Sequence, residues 1–469
     1  MKLNIAELFE NKEAELTEKI IDMYLGDQEE YVIKLLSDPQ KGRKDWQTRG
    51  IIPRHRNIMK MIVDKSGLLF NDKAPDLSVY NQKTDTSADE GQTATLRQQL
   101  EQVDWIEFFT NFDSIVRLVK SAMVLVQYDS EESQLVLDVL TQHNSYVVTK
   151  NNRIDTLIYK VAEREEEIYE FRVFTKELIQ DILVNEETGE ETIIQTIPNP
   201  FGIIPVAVFH DTNTPIFDFW NVIPTDLVQV NDLYNLHLTD SEYAASWSKL
   251  KTLFTNCKIQ TAEDMVMEAV VPYGSELPRY APTQGALIGG PSKVIQIDTM
   301  GVDSPFVEYK GPEVNLEPID TMVNKWVADF AGDWCVNVKL AGQGTADSGF
   351  KLIVEEMDNL ELRRKRARMF EAGFNRLFQT IKKVVNTFKP GTYTEESVLF
   401  AKFAAPNLPV DIKLQEEVWS RRISEGRATR EMYFMEVHGL TAEEAKAKVE
   451  EIDQTRPALT APRTLQITK

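Results

Sequence analysis

The sequence contains little cysteine and no long apolar run. Its 469 residues include two cysteines, Cys257 and Cys335, which excludes a disulfide framework and favours a reducing compartment. No apolar run approaches the roughly 18 residues that a membrane-spanning helix needs, so we expect no membrane partner. The opening residues, MKLNIAELFENKEAE, lack the apolar core of a signal peptide, and none is expected.

Motifs of common enzyme chemistry are also missing. The five histidines are scattered and show no HxxxH or HExxH spacing, and the two cysteines lie 78 positions apart. No G-x-S-x-G nucleophile elbow is present. The sequence therefore predicts no metal site, no cofactor and no catalytic residues.

One segment resembles a phosphate-binding loop. In GQGTADSGFK, residues 342–351, Gly344 and Gly349 are separated by four residues, but Phe350 stands before Lys351. A phosphate loop needs its lysine directly after the second glycine, because only there does the amine reach the phosphates. We interpret the segment as a connector whose Ser348 caps the next helix. A nucleotide-dependent enzyme that uses residues 342–351 is the alternative from a different functional class.

The charge balance is strongly acidic. The chain has 74 Asp and Glu against 52 Lys and Arg, a net charge of −22, with 42% hydrophobic and 27% charged residues. This composition is typical of a globular chain of about three units. It argues against a protein that grips nucleic acid over its whole surface, but not against one along which nucleic acid slides.

Hydrophobic periodicity predicts an α+β fold. Apolar residues follow helical spacing in the first 70 residues, and a single helix is expected from about Thr95 to Lys120. Short β-branched and aromatic runs separated by turn residues then predict an antiparallel meander between residues 122 and 210.

The second half is predicted to be mostly helical. A helix from Thr225 to about Asn256 and another from about Asn315 to Ala331 flank a β-like, Gly- and Pro-rich insert. A loop follows, then a long helix that runs to Phe388, a returning strand at 393–403 and two or three helices after Asp411. The two flanking helices carry apolar stripes whose packing residues are Tyr243, Trp247, Leu250, Phe254, Trp326 and Phe330.

One basic cluster, RRKRAR, lies inside the long helix. It contains Arg363, Arg364, Lys365, Arg366 and Arg368. Three interpretations stay open: a solvated face, ion pairs with a neighbouring copy, or contact with nucleic-acid phosphates. Because consecutive residues point around a helix, no more than half of the cluster faces one ligand.

The order of these elements resembles the portal (head–tail connector) proteins of tailed bacteriophages. The likeness spans about residues 50–455, and four stretches carry it: RNIMKMIVDKSGLLFNDKAPDL (56–77), FGIIPVAVFHDTN (201–213), NVIPTDLVQVNDLYNLHLTDSEYAASWSKLKTLFTN (221–256) and SGFKLIVEEMDNLE (348–361). In the third stretch, Asp232, Tyr234 and Ser241 fall in the family's pattern. The Phe after Ser-Gly in the fourth stretch and the short tail depart from it.

The resemblance implies a division of the chain. Residues 1–224 form the wing together with 389–410, which includes a strand; residues 225–256 and 314–333 form the two stem helices, and 257–313 the clip. Residues 334–350 form the tunnel loop, 351–388 the long wing helix and 411–469 the crown. Within the loop, Lys339, Gln343, Thr345 and Asp347 are the residues expected at the DNA channel.

The resemblance also implies a function and partners. Such a protein forms a ring of twelve copies at one capsid vertex of the virion, assembled in the cytoplasm of the bacterial host. Double-stranded DNA passes through its channel during packaging and ejection. The expected protein partners are the terminase large subunit, the major capsid and scaffolding proteins and a head–tail adaptor. The alternative is another ring-forming phage structural protein without enzymatic activity, such as an adaptor or a scaffold-binding capsid component.

Overall fold

The structure is a computed structural model of the chain. It describes residues 5–9, 11–38, 46–47, 50–70, 73–151, 153–165, 168–185, 188–216, 218–249, 252–255, 258–260, 296–298, 304, 306–310, 316–337, 349–404, 412–438 and 441–455. The chain divides into two compact units, one of Met1–Lys19, Met61–Pro224 and Phe330–Lys469, the other of Ile20–Lys60 and Thr225–Asp329. Residues 20–60, which the predicted division places in the wing, thus belong to the second unit.

The described helices fall into two groups along the chain. Those of the first 120 residues are α1 (Ile5–Phe9), α2 (Lys12–Leu25), α3 (Gln28–Ser37), α4 (Ile58–Val63), α5 (Glu90–Glu101) and α6 (Trp105–Val119). Those after residue 224 are α7 (Thr225–Lys249), α8 (Glu317–Asp333), α9 (Gly349–Phe388), α10 (Ile412–Ser424), α11 (Arg430–His438) and α12 (Ala442–Thr455).

All described strand pairs are antiparallel. The strands are β1 (Asp76–Tyr80), β2 (Ser121–Asp129), β3 (Gln134–Leu140), β4 (Ser145–Lys150), β5 (Arg153–Glu165), β6 (Ile168–Phe174), β7 (Leu178–Asn185), β8 (Glu191–Pro198), β9 (Val206–His210), β10 (Thr252–Thr255), β11 (Lys258–Gln260), β12 (Gln296–Asp298), β13 (Val307–Lys310) and β14 (Val398–Lys402). They form a three-stranded sheet in the order β3-β2-β9, a five-stranded sheet in the order β4-β5-β6-β7-β8, and the pairs β1-β14, β10-β13 and β11-β12. The predicted α+β class is confirmed.

Three local predictions were wrong. The single helix expected over 95–120 is two helices, because the chain breaks at Asp104, which has a left-handed φ of 44°. The single meander is two sheets, with β7 and β1 not foreseen. Phe254 lies on β10 rather than in a stem helix, since Thr252–Thr255 pairs with Val307–Lys310 and its threonines and phenylalanine favour strands over helices.

The core of the first unit is aromatic. Helix α6 carries Phe109 and Phe112 on one face, and both are fully buried against Phe209 of β9 and Phe374 of α9. The ring centroids of Phe109 and Phe374 lie 4.7 Å apart, and those of Phe112 and Phe209 lie 5.1 Å apart. This packing joins the three-stranded sheet to the middle of the long helix.

In the second unit, helix α7 uses a polar stripe for contact. Asn231, Asn235 and Thr239 recur every four residues and are fully buried. The Asn235 side chain accepts from the backbone N–H of Arg56 at 2.7 Å, and Thr239 accepts from that of Arg54 at 3.0 Å. Because these hydrogen bonds replace those that the non-helical backbone at 54–57 would make with water, burial of the stripe costs little.

Gly373 of α9 tests the packing of the aromatic core. A Cβ atom at this position would lie 2.5 Å from Cε1 of the buried Phe209 ring, well inside contact distance. We expect Gly373→Ala to lower the free energy of unfolding by about 1–3 kcal/mol, because an overpacked core must shift its side chains. Chemical denaturation measures the change.

Gly332→Ala is the matched control, since a Cβ there meets nothing within 4 Å and the site is also helical. It should stabilise the chain or leave it unchanged. Equal effects of the two substitutions would show that α9 does not pack against Phe209 as described.

Candidate functional site

Five charged residues meet in a buried cluster inside the first unit. Helix α6 supplies Asp113 and Arg117, four residues apart on one face, and Lys120 follows its last turn. Asp211 comes directly after β9, and Arg366 lies in α9. The exposed fractions of the Arg366, Asp113 and Asp211 side chains are 0%, 1% and 2%. We call these five residues the ionic cluster.

Arg366 lies between the two carboxylates. Its Nε atom donates to Oδ1 of Asp211 at 2.6 Å, and its Nη2 atom donates to Oδ1 of Asp113 at 2.7 Å. Nη1 donates to the carbonyl oxygen of Gly67 at 2.8 Å. The guanidinium thus connects α9 with α6, with the end of β9 and with the turn after α4.

Asp211 is the acceptor that the cations share. Arg117 Nη1 donates to its Oδ2 at 2.6 Å, and Lys120 Nζ donates to the same oxygen at 3.2 Å. Burial alone would raise the pKa of Asp211, but Arg117, Arg366 and Lys120 outweigh it and hold that pKa below the ordinary value. Asp211 is therefore a stable carboxylate at neutral pH.

Lys120 is the titratable member of the cluster. Burial lowers its pKa to about 8, with Arg117 and Arg366 adding repulsion against the attraction of Asp211. Its side chain is 20% exposed. A lysine in this setting changes charge near neutral to mildly alkaline pH.

Trp334 ties the chain after α8 to this cluster. The Cζ atom of Arg117 lies 4.4 Å from the centroid of the Trp334 ring, and Nζ of Lys120 lies 3.8 Å from it. Arg117 also donates to the Trp334 carbonyl oxygen at 3.4 Å. Cation–π contacts of this kind are strongest when desolvated, and Trp334 is buried.

A second arginine of α9 fixes the same region through carbonyl groups. Arg363 donates to the carbonyl oxygens of Leu68, Leu69 and Ala404 at 3.3, 3.3 and 2.9 Å. Trp334 and Arg363 both make buried contacts within the first unit. The two ends of the segment between them are therefore fixed to that unit. This arrangement positions the backbone around the ionic cluster.

The structure divides the predicted basic cluster. Arg363 and Arg366 are buried and bound within the chain, which differs from the predicted contact with DNA or a neighbouring copy. The physical reason is their spacing of three, which places both on the helix face toward the core, where the two carboxylates lie. Arg364, Lys365 and Arg368 are exposed, and Lys365 pairs with Glu361 at 3.0 Å. For these three residues the contact stays a prediction.

The other predicted site residues are described only in part. Lys339, Gln343, Thr345, Asp347 and Leu250 lie outside the described residues, and the side chains of Trp247 and Phe254 do as well. Tyr243 is partly buried, Phe330 lies with its ring centroid 6.4 Å from that of Trp334, and Trp326 is 47% exposed.

Sequence analysis did not single out Asp113, Arg117, Lys120, Asp211 or Trp334. One signal was present: Asp113 and Arg117 fall on the same helical face as Phe109 and Phe112, where only apolar residues are expected. Asp211, directly after the apolar strand that ends at His210, gave no comparable signal.

The described ranges hold no group of three or more His, Cys, Asp or Glu residues placed to bind a metal ion. Among the helices that the structure describes, none combines the length and apolar character needed to cross a membrane.

Comparison with known proteins finds likeness only among solved structures. No family model matches the chain, and no curated protein does. A chain of the virion of a native gene transfer agent particle is similar at 12% identity and a TM-score of 0.41, with 82% of this chain and 90% of that chain covered. A chain from the neck of an empty particle of the same kind, computed with C6 symmetry, gives 11% identity, a TM-score of 0.42 and coverage of 85% and 93%. Likeness at this level supports no functional conclusion.

Replacing Arg366 tests the ionic cluster. Arg366→Met leaves two buried carboxylates that face each other without their shared cation, so we expect a loss of about 3–5 kcal/mol in the free energy of unfolding. Arg368→Met, two residues further on the exposed side of the same helix, should change it by less than about 0.5 kcal/mol. Urea denaturation of both variants measures the difference, and similar values would contradict the cluster.

Lys120 predicts a pH dependence of stability. Because its pKa is about 8 in the folded chain and about 10.4 in an unfolded one, the unfolded chain binds more protons between these pH values. The free energy of unfolding should therefore rise with pH over this window, by up to about 1.4 kcal/mol per pH unit from this residue. Lys120→Met should remove that rise, whereas Lys402→Met, at an exposed lysine, should keep it. Parallel slopes for Lys120→Met and the original chain would contradict the assignment.

Proposed function

We propose that this chain is the portal protein of a tailed-phage-like particle. The ring occupies one capsid vertex of the virion and admits double-stranded DNA during packaging. The terminase large subunit docks on it first, and a head–tail adaptor takes that place afterwards. The major capsid and scaffolding proteins are its neighbours in the shell. The chain acts as a structural protein rather than an enzyme, and it assembles in the cytoplasm of a bacterial host.

The order of elements supports the proposal. Helix α7 is followed by two antiparallel strand pairs and then by α8. After the next segment comes α9, whose 40 residues span about 60 Å. This order matches the stem, clip, stem, tunnel loop and long wing helix that the sequence resemblance implies. We assign α7 and α8 to the stem, residues 257–313 to the clip, 334–350 to the tunnel loop and α10 to α12 to the crown.

The observation that carries the ring is an exposed apolar stripe on α8. Ile319, Met322 and Trp326 recur at spacings of three and four and are 45%, 43% and 47% exposed. On the same helix, Val323 and Val327 are buried in the single chain. A helix with one apolar face buried and another exposed fits a ring, because a second copy of the chain covers the exposed face.

The charge of the chain fits a DNA channel. A net charge of −22 repels the phosphate groups of DNA. A duplex inside a ring of such subunits therefore does not bind tightly to the channel surface. We assign Lys339, Gln343, Thr345 and Asp347 to the loop that meets the duplex. The ionic cluster then has a mechanical role: Trp334, the first residue of this loop, is held against Arg117 and Lys120 of the unit that contains α9.

Native mass spectrometry with negative-stain imaging tests the ring. We expect an assembly of about twelve chains of 53.7 kDa each, with a central hole. Trp326→Asp should abolish assembly and leave the melting temperature of the single chain unchanged, because it places a charge on the exposed stripe.

Ile216→Asp is the matched control. Ile216 is 86% exposed but lies in the other unit, outside the proposed stem, and its replacement should leave the ring intact. A compact oligomer without a hole would contradict the proposed function. A ring that survives Trp326→Asp would remove α8 from the subunit contact.

A further inference from the structure

Strand β8 forms an open edge of the five-stranded sheet. It pairs with β7 on one side, and no strand in the described part of the chain pairs with its other side. All eight of its residues are exposed, including Ile193 at 58%, Ile194 at 53% and Ile197 at 39%. Exposed isoleucines on an unpaired edge are unusual, because such an edge is a template for another strand.

The edge has one of the devices that block strand pairing, a bulge at Ile194 between Ile193 and Gln195, and lacks the others. Proteins protect open edges with lysines, prolines or very short strands. In β8 the only proline is the last residue, Pro198, and the strand contains no lysine. Its partner strand is packed: Ile182, which pairs with Ile193, and Ile179, which pairs with Ile197, are each only 7% exposed. The edge is therefore a template on a packed sheet, regular on either side of the bulge at Ile194.

The negative charge around β8 favours the binding of a basic strand. Glu190 and Glu191 lie exposed at its start. Residues 161–200, which hold the surrounding strands, contain eleven acidic and three basic residues. An added strand with acidic residues would be repelled here, and one with basic residues would be attracted.

One segment of this chain has the complementary chemistry. Residues 456–469, RPALTAPRTLQITK, contain three basic residues and no acidic one. Within them, RTLQITK (463–469) alternates polar residues with Leu465 and Ile467 and is free of proline. That alternation and its β-branched residues are typical of a strand. Residues 456–469 lie outside the described part of the chain.

We propose that residues 463–469 bind to the open edge of β8 and extend the sheet by one strand. The backbone of the segment supplies the hydrogen bonds that the edge lacks, as in other cases of strand addition. Leu465 or Ile467 contacts the exposed isoleucines, and Arg463 or Lys469 lies near Glu190 and Glu191. The segment comes from the same copy or from a neighbouring copy of the chain.

Hydrogen–deuterium exchange of β8 amides tests this proposal. In the full chain, amides within residues 191–197 should exchange about tenfold more slowly than in a chain ended at residue 455. Gln466→Pro should have the same effect as the truncation, because proline in the middle of the added strand removes a hydrogen bond. Thr460→Pro, outside the strand segment, is the matched control and should keep the slow exchange.

A synthetic peptide of residues 456–469 should restore slow exchange to the truncated chain, and a scrambled peptide should not. Slow exchange in the full chain that persists on dilution indicates a segment from the same copy, and loss on dilution indicates one from a neighbour. Equal exchange of the β8 amides in the full and truncated chains would overturn the proposal. Equally slow exchange would mean that something other than residues 456–469 covers the edge, and equally fast exchange would mean that nothing covers it.

Discussion

The structure of the first unit depends on one guanidinium between two buried carboxylates. Arg366 joins Asp113 of α6 to Asp211 at the end of β9, and all three side chains are almost fully withdrawn from water. The burial of each of these charges costs several kcal/mol, and only good geometry with full hydrogen bonding repays that cost. A shift of α9 away from this position would separate Arg366 from Asp113 and Asp211. The cluster therefore selects one relative position of helix, sheet and turn more strongly than it adds stability.

The aromatic packing and the ionic cluster contribute differently to the fold of the first unit. Phe109, Phe112, Phe209 and Phe374 supply apolar burial, which is tolerant of small shifts in position. The cluster, with hydrogen bonds of 2.6 to 3.2 Å, is not tolerant of such shifts. Trp334 extends the cluster by cation–π contact to the first residue of the proposed tunnel loop. In the proposed portal, a loop that meets moving DNA thus begins at a firmly held residue.

Local patterns in the sequence predicted what depends on local chemistry. The period of the apolar residues correctly indicated helices near 225, 317 and 349–388 and β-rich sequence between 121 and 210. The period did not predict pairing between distant residues. Thr252–Thr255 forms a strand because it pairs with Val307–Lys310, and the predicted single meander is two sheets. Long-range pairing of this kind is not encoded in the period of a single segment.

The site was harder to predict because its charges resemble surface charges. RRKRAR looks solvated in sequence, yet Arg363 and Arg366 are core residues, since Asp113 and Asp211 arrive from other elements. The stripe of Asn231, Asn235 and Thr239 shows the same effect, because its partner is the backbone at 54–58 rather than an apolar surface. In both cases the fold converts polar residues into contacts that hold one structure.

Electron cryomicroscopy of the assembled chain would show whether it forms a ring with a DNA channel. We predict a closed ring around a channel, with residues 338–348 at its narrowest part and the Trp334 ring in contact with Arg117 and Lys120. A closed assembly without a channel, or one with residues 338–348 on its outer surface, would contradict this prediction.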